Sequence, residues 1–251
     1  MAIENPENNL SDKSFWDEYL KKYQPRIVER VVFADIFEKY LTPNPTKTAL
    51  EVGCAGGNFL CYLAKKFKYQ AFGVDYSDGI ETTKILFQFN KLPEPTLYKT
   101  DFFKWHPGRQ FEIVCSFGFV EHFENFPEVI KKHADLVSPG GMLIITMPHF
   151  AHVQYFFHWI LDRENLRRHN TKIMNLKSLR KALTGLPFEI KYLNYYQTIG
   201  FWTEKKNLNG FEQFLNQAIR LFCRLVNGLF GYNHPNPLIS PHIVLVARKK
   251  S

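Results

Sequence analysis

Between Thr48 and Pro148 the chain alternates short apolar runs with amphipathic ones, and no other pattern constrains its fold as strongly. "TALEVG" (48–53), "QAFGVDY" (70–76), "TLYKTD" (96–101), "FEIVCSF" (111–117) and "GMLIITMP" (141–148) read as buried strands. "NFLCYLAKKF" (58–67), "DGIETTKILFQFN" (78–90) and "NFPEVIKKHADLV" (125–137) read as helices, and "SPGG" as the turn that precedes the fifth strand. Strands and helices that alternate across short polar joints build crossover units around a parallel sheet. The expectation is an α/β, Rossmann-like fold with helices on both faces of a mostly parallel sheet. Beyond Pro148 the rhythm changes: "FEIKYLNYY" (188–196) and "HIVLVARK" (242–249) are strand-like, and the residues between them are largely helical in pattern. A terminal antiparallel pair added to the sheet accounts for both. The helical, basic segment 150–187 would then lie over the carboxyl ends of the strands, where open α/β sheets bind ligands.

Ahead of this core, residues 11–40 show helical spacing with Phe15, Tyr19 and Tyr23 on one stripe, interrupted at Pro25 and resumed in "RIVERVVFADIFEKYL". The turn-forming "TPNPTK" (42–47) marks the start of the core. One integrated domain is expected, with a helical lid over 1–47, a ligand-binding core over 48–150 and a substrate side over 151–251 that carries a helical insertion at 200–241. The opening "MAIENPENNL" is polar and no run approaches the roughly 18 apolar residues of a membrane span, so a cytoplasmic protein is expected. Cys54, Cys61, Cys115 and Cys223 are scattered without a C-x-x-C pair and read as buried thiols. Residues 1–150 carry a net charge of −2 and residues 151–251 one of +10, so the basic excess is regional. Such asymmetry fits either a surface that meets something acidic or a solvated helical face.

"LEVGCAGG" (50–57) places three glycines after an acidic residue at a strand end. Glycines let the backbone turn sharply and approach a ligand. The dinucleotide spacing G-x-G-x-x-G is absent, and Glu51, two residues before Gly53, would repel a pyrophosphate but could meet a cationic group. Asp75 ends the second strand about 20 residues on, where a carboxylate can accept both hydroxyls of a ribose. Asp101 ends the third strand, where it could take an adenine amino group while Phe102 supplies apolar contact. A ligand with a ribose, an adenine, an amino-acid tail and a positive centre meets these demands, and S-adenosylmethionine has all four.

With these features the chain resembles the class I S-adenosylmethionine-dependent methyltransferases. "LEVGCAGGNF" is similar to their first motif, "GVDYS" to the ribose-binding strand end, "TDFF" to the adenine turn, "SFGFVEHFEN" to the loop after the fourth strand and "LVSPGGMLIITMP" to the turn and fifth strand. The match covers about residues 48–150. The resemblance implies a seven-stranded sheet of order 3-2-1-4-5-7-6, its last strand antiparallel. It also implies cofactor contacts at Glu51, Gly53, Cys54, Ala55, Gly57, Asp75, Tyr76, Asp101, Phe102, Ser116 and Phe117, with Tyr19 and Tyr23 closing over the cofactor. Ala55 stands where a glycine is frequent in the family, a change that costs little if its φ stays negative.

Methyl transfer from a sulfonium is an in-line displacement, and a placed base adds roughly 10²–10⁴-fold when the nucleophile must lose a proton. His122 in "VEHF" and His149 in "TMPHF" are the candidate bases, with Glu121 orienting the loop. His152 and His158, beside Tyr155 and Trp159, read either as acceptor-site lining or as helix core. No metal-ligand spacing is evident, so no metal is expected. Arg163, Arg167, Arg168, Lys172, Lys177, Arg180 and Lys181 would favour an anionic acceptor if their segment covers the pocket. Residues 211–232 form a strongly amphipathic helix that suits packing in the core or a homodimer, or contact with an anionic membrane.

The expected function is transfer of a methyl group to an oxygen of a small, anionic metabolite, as in ubiquinone-pathway-like O-methyltransferases. The alternatives are N-methylation of a small amine or amino sugar, RNA methylation, and a cofactor-binding subunit without chemistry. Against RNA, "SFGF" lacks the N-P-P-Y or D-P-P-Y signature of base methylation and no RNA-binding module is evident.

Overall fold

The computed structural model describes residues 9–205 and 207–251; most of the polar opening segment, and with it the start of the expected lid, lies outside the described residues. Seven strands form one sheet: β1 (Thr48–Val52), β2 (Gln70–Asp75), β3 (Thr96–Lys99), β4 (Phe111–Phe117), β5 (Val137–Pro148), β6 (Phe188–Tyr196) and β7 (His242–Lys249). Their order is β3-β2-β1-β4-β5-β7-β6, as the resemblance implies. The pairs from β3 through β5 are parallel, and β7 is antiparallel to both β5 and β6.

Side-chain alternation along these strands sorts the core onto two faces. Leu50, Val52, Val114, Leu143, Ile145, Ile243 and Leu245 belong to one buried cluster, completed by Val129 and Ile130 of α5 (Phe126–Leu136) and Leu179 of α8 (Leu176–Ala182). Ala49, Ile113, Cys115, Ile144, Val244 and Val246 face the other cluster. That side is covered by α2 (Ala34–Tyr40), α3 (Asn58–Phe67) and α4 (Ile80–Phe89), through Phe37, Leu60, Leu63, Phe67, Leu86 and Phe87. Neighbouring residues of one strand thus serve opposite faces, which is what a two-sided parallel sheet demands.

"SPGG" is not a separate turn. It is the first part of β5, where the pairing with β4 jumps from Phe111↔Val137 to Ile113↔Met142. Gly141 sits in that irregularity, and a Cβ there would come within 2.8 Å of the Glu112 carbonyl oxygen.

The N-terminal region also departs from its helical pattern. Asp12 caps α1 (Lys13–Leu20) by accepting from the Phe15 N–H at 2.9 Å. The expected second helix from Arg26 starts only at Ala34. Long-range bonds decide this: the Val28 N–H donates to Asn90 Oδ1 at 2.8 Å, Asn90 Nδ2 donates to the Arg26 carbonyl at 2.9 Å, and Lys65 Nζ donates to the Val28 carbonyl at 3.0 Å. These bonds engage backbone groups that a helix would pair with its own chain. The remaining helices are α6 (His152–Leu161), α7 (Arg163–Arg167) and α9 (Gly210–Phe230).

Asn90→Ala removes the partners of Val28 and Arg26 at once. It is expected to lower stability by about 1–3 kcal/mol in urea unfolding, with Asn90→Asp, which keeps the acceptor, losing less.

Candidate active site

The β1–α3 connection turns at Gly53, Gly56 and Gly57, with φ of 74°, 88° and 59°. Two of the three are also required by crowding. A Cβ on Gly53 would lie 2.6 Å from Phe119 Cδ2, and one on Gly57 would lie 2.5 Å from Thr83 Cγ2. The loop amides are engaged inside the protein: Gly53 N donates to the Val74 carbonyl (2.9 Å), Ala55 N to Asp75 Oδ2 (3.0 Å), Gly56 N to Thr82 Oγ1 (3.0 Å) and Gly57 N to the Cys54 carbonyl (3.0 Å). A pyrophosphate needs such amides free. Ala55 has no positive φ, so the residue standing in the glycine position is unstrained.

Glu51 lies beneath the loop and is not among the residues lining the cavity. Its Oε2 accepts from the Leu60 N–H at 2.8 Å, in the first turn of α3 where an anion would otherwise bind, and burial pushes its carboxyl up to about 8. From this position Glu51 holds the amino end of α3 and supports the loop from behind. Cys54 is fully buried and packs against β2, where a Cβ on Gly73 would fall 2.4 Å from its Sγ. Ser116 is likewise buried in β4, and Gly57 packs on Thr83; neither lines the cavity.

Gly53, Ala55, Asp75, Tyr76 and Phe117 do line a cavity of ≈ 130 Å³, together with Trp16, Tyr19 and Leu20 of α1 and Gly118, Phe119, His122 and Phe123 from the loop after β4. Asp75 Oδ1 accepts from Ser77 N (2.8 Å) and Ser77 Oγ (2.6 Å), and burial pushes its carboxyl up against the pull of these bonds. An adjoining recess, which shares Asp75, Tyr76, Phe119 and Phe123, is lined by Asp101 and Phe102. Gly53 and Ala55 of the loop, the Asp75 carboxylate and the aromatic recess fit an adenosyl ligand by shape and by donor type. Tyr23 packs outside, its Cε2 3.8 Å from where a Cβ on Gly56 would stand, so of the two expected lid tyrosines only Tyr19 reaches the cavity.

α1 is held over this site by specific contacts. Leu20 fills the space above Gly79, where a Cβ would meet its Cδ1 at 2.1 Å, and Asp17 Oδ1 accepts from the Asp78 N–H at 2.7 Å. Trp16 and Leu20 were not anticipated from the chain, because nothing local to residues 11–20 signals what the helix covers.

A second cavity of ≈ 360 Å³ shares Trp16, Tyr19, Phe117, Gly118 and His122 with the first. Phe33, Phe59, Phe150, Trp202, Glu121, His169, Glu204 and His242 add to its walls. His122 rides on a tight helical turn, Val120–His122, and its Nδ1 lies 2.7 Å from the Arg168 carbonyl, so Nδ1 carries the proton. Burial holds its pKa down to about 4. Trp16 meets its ring edge-on at 5.4 Å and His169 lies at 4.4 Å between ring centroids. Glu121 is fully buried, neither of its oxygens has a hydrogen-bond partner, and burial pushes its carboxyl up to about 8.

His149, the other expected base, lines neither cavity. It follows β5 directly, bonds through Nδ1 to the Ser240 carbonyl at 2.9 Å and packs on Tyr195 at 4.7 Å, on the β6–β7 side of the sheet. His158 is enclosed by Phe150, Phe201 and Trp202, and His152 is exposed at the start of α6. Of the basic segment, Arg168 comes nearest the site, and it pairs with Glu204 at 2.7 Å while stacking on Phe15 at 3.9 Å.

The buried carboxyl of Glu51 gives a pH signature. Its folded pKa lies above its ordinary value of 4.5, so its contribution is whole below that value and is lost as pH rises through about 8. Wild type is expected to lose stability relative to Glu51→Gln by about 1.4 kcal/mol per pH unit between these limits, read from urea unfolding across pH. Parallel pH profiles of the two proteins would sink this assignment.

Residues 19–193 match a family described as methyltransferase domain. Among solved structures, a candidate methyltransferase from Bacillus halodurans C-125 is 17% identical, with 86% of this chain and 98% of that one covered and a TM-score of 0.61. The N-methyltransferase NodS from Bradyrhizobium japonicum WM9, in complex with S-adenosyl-L-homocysteine, is 13% identical over 95% and 98% of the two chains, with a TM-score of 0.56. A SAM-dependent methyltransferase from Archaeoglobus fulgidus is 18% identical over 86% and 90%, also with a TM-score of 0.56. At such identities the structures speak for the fold alone. The family match runs through the glycine loop, the strand-end carboxylates and the loop after β4, and it takes in well over half of the chain. The chain therefore belongs to the methyltransferase domain family, as a class I S-adenosylmethionine-dependent methyltransferase.

Proposed function

We propose that the protein methylates an oxygen of a small molecule held in the larger, aromatic cavity. The observation that carries this reading is the junction of the two cavities at Trp16, Tyr19, Phe117, Gly118 and His122. When bound, S-adenosylmethionine supplies an electrophilic methyl group on a sulfonium. Asp75 would accept from the ribose hydroxyls, Asp101 and Phe102 would hold the adenine, and Tyr19 of the lid helix would cover the adenosyl group. Phe33, Phe59, Phe150 and Trp202 keep water from the acceptor and favour a flat or apolar body. The Nδ1–H of His122 is engaged by Arg168, which leaves the Nε2 lone pair for an acceptor hydroxyl at the junction.

Among the described residues, no lysine or arginine lines the larger cavity, whereas Glu121 and Glu204 do. This lining speaks against the anionic acceptor expected from the basic segment and against a polynucleotide, which needs cations along its path. It favours an uncharged hydroxyl compound, or in second place an amine.

Incubation with labelled methyl donor and a metabolite extract tests the reading. Label is expected in small products as methyl ethers identified by mass spectrometry. Asp75→Asn should weaken cofactor binding by about 10–100-fold. His122→Gln should lower kcat by roughly 10²–10⁴-fold with cofactor affinity little changed. Cofactor binding without any labelled product across extracts would instead mark a subunit that does no chemistry.

The α9 surface supports an expectation about partners. Phe211, Phe214, Leu225, Leu229 and Phe230 are exposed along one helix, only Cys223 and Asn227 of α9 being buried. Its single acid, Glu212, closes the capping box with Asn209 and pairs with Lys205 at 2.5 Å, which leaves Arg220 and Arg224 as its net charge. Two copies meeting there would oppose like charges, whereas an anionic lipid surface complements them. No helix among the described residues is long and apolar enough to cross a membrane, so the contact would be peripheral. Sedimentation with vesicles containing phosphatidylserine is expected to carry the protein down, less so in high salt, and the triple substitution Leu225→Ser, Leu229→Ser, Phe230→Ser should abolish it. A variant that turns a dimer into a monomer, without any vesicle binding by wild type, would assign the face to self-association.

A further inference from the structure

We infer that Glu121, His122 and His169 form a binding site for a divalent transition-metal ion in the wall of the acceptor cavity. One ligand atom from each of the three lies within 4.8 Å of the others. Both histidines are oriented by the same device. His122 Nδ1 donates to the Arg168 carbonyl at 2.7 Å and His169 Nδ1 to the Asn165 carbonyl at 2.6 Å, so Nε2 is the lone pair that each has to offer. A ring N–H tied to a backbone carbonyl is how metal-ligating histidines are ordinarily held, because it selects the tautomer and aims the other nitrogen.

The third ligand is the stronger indication. Glu121 is fully buried, and both of its oxygens lack a partner. A carboxylate so placed carries a large desolvation cost unless a cation or donors reach it. The nearby donors do not fill that need: Arg168 is engaged by Glu204 at 2.7 Å, and the Nδ1–H of each imidazole is engaged by a backbone carbonyl. A carboxyl and two imidazoles thus lie together where one cation would engage all three.

Two imidazole nitrogens and one carboxylate suit zinc, manganese, iron or cobalt better than calcium. Side-chain rotation has to draw the three atoms to the roughly 3–3.5 Å spacing of ligands around one ion. The cavity of ≈ 360 Å³ leaves the remaining positions open, which is the pattern of a catalytic rather than a structural site. An oxygen of the acceptor would take one of them. This deepens the reading of an oxygen-directed methyltransferase and gives His122 Nε2 the work of a ligand instead of a free base.

The test uses full-length protein stripped with chelator and titrated with Zn²⁺, Mn²⁺ and Co²⁺ by calorimetry, the Co²⁺ sample also being followed by its visible absorption. One ion per chain is expected, with affinity about 100-fold lower or worse in Glu121→Gln, which is isosteric, and in His169→Asn. Circular dichroism and S-adenosylhomocysteine binding verify that each variant is folded. Failure of wild type to bind one ion, or binding that neither folded variant weakens, overturns the site. Methyl transfer that survives chelation, with no ion bound, overturns the site while leaving the methyltransferase reading and His122 as base intact. Ion binding lost in the variants, without methyl transfer to any acceptor, upholds the site and sinks the oxygen-directed reading.

Discussion

The site is organised around the Asp75 carboxylate. One oxygen takes the Ala55 N–H of the β1–α3 loop and the other takes two donors from Ser77, so a single side chain ties the glycine turn to the end of the neighbouring strand. The bond is possible only because β1 and β2 run parallel in adjacent positions at the middle of the sheet, which brings their carboxyl ends side by side. It requires close packing below as well: Gly57 against Thr83, and Gly73 against Cys54. With its amides engaged, the loop presents Gly53, Ala55 and a carboxylate to the cavity. That surface is suited to hydroxyl donors and a cationic ligand, and poorly suited to a phosphate.

Some buried polar groups of the scaffold are fully matched: Glu112 accepts from both Thr48 N and Thr48 Oγ1, and Asn90 satisfies three backbone groups. Others are not: His133, His158 and Asn165 hold buried atoms without partners, as does Glu121 in the wall of the larger cavity. Each such group costs about 1–3 kcal/mol, and of these four Glu121 stands where a ligand in the cavity would complete it. The two-sided apolar core carries that cost, because nearly every inward position of β1, β4, β5 and β7 is buried.

How well each feature could be read from the chain follows from the distance between its parts. The boundaries of α3, β4, β6 and β7 agree with their apolar periodicity to the residue; in β4 and β7 burial on both faces leaves a run of apolar residues that ends where the strand does, while β6 lies at the sheet edge and is only half-buried. That Gly53, Asp75 and Asp101 would lie near one another was legible because they stand at or just past the ends of β1, β2 and β3, and strand ends converge in a parallel sheet. Glu51 fits the motif but turns under the loop to the amino end of α3, a choice between two faces that spacing does not resolve. His149 and His122 look alike in sequence. The register of β5 against β7 sends His149 toward Ser240 and Tyr195, while the turn at Gly118, with φ of 68°, brings His122 back to the cavity.

The order of apolar and polar residues by itself determined the α/β class, the two-faced core and the methyl donor, because those depend on periods of two and 3.6 and on residues at strand ends. Only the tertiary structure decided the acceptor side. His169 lies 47 positions from His122, Trp16 more than 100 before it, and Trp202 and Glu204 80 and 82 after it, and no local pattern says that the five share one cavity. They meet because α1, the segment after α6 and the segment after β6 each fold over the carboxyl edge of the sheet. Backbone bonds such as Asn170 N to the Glu121 carbonyl at 2.7 Å hold them there, and such bonds can form between any residues and therefore leave no mark in the sequence.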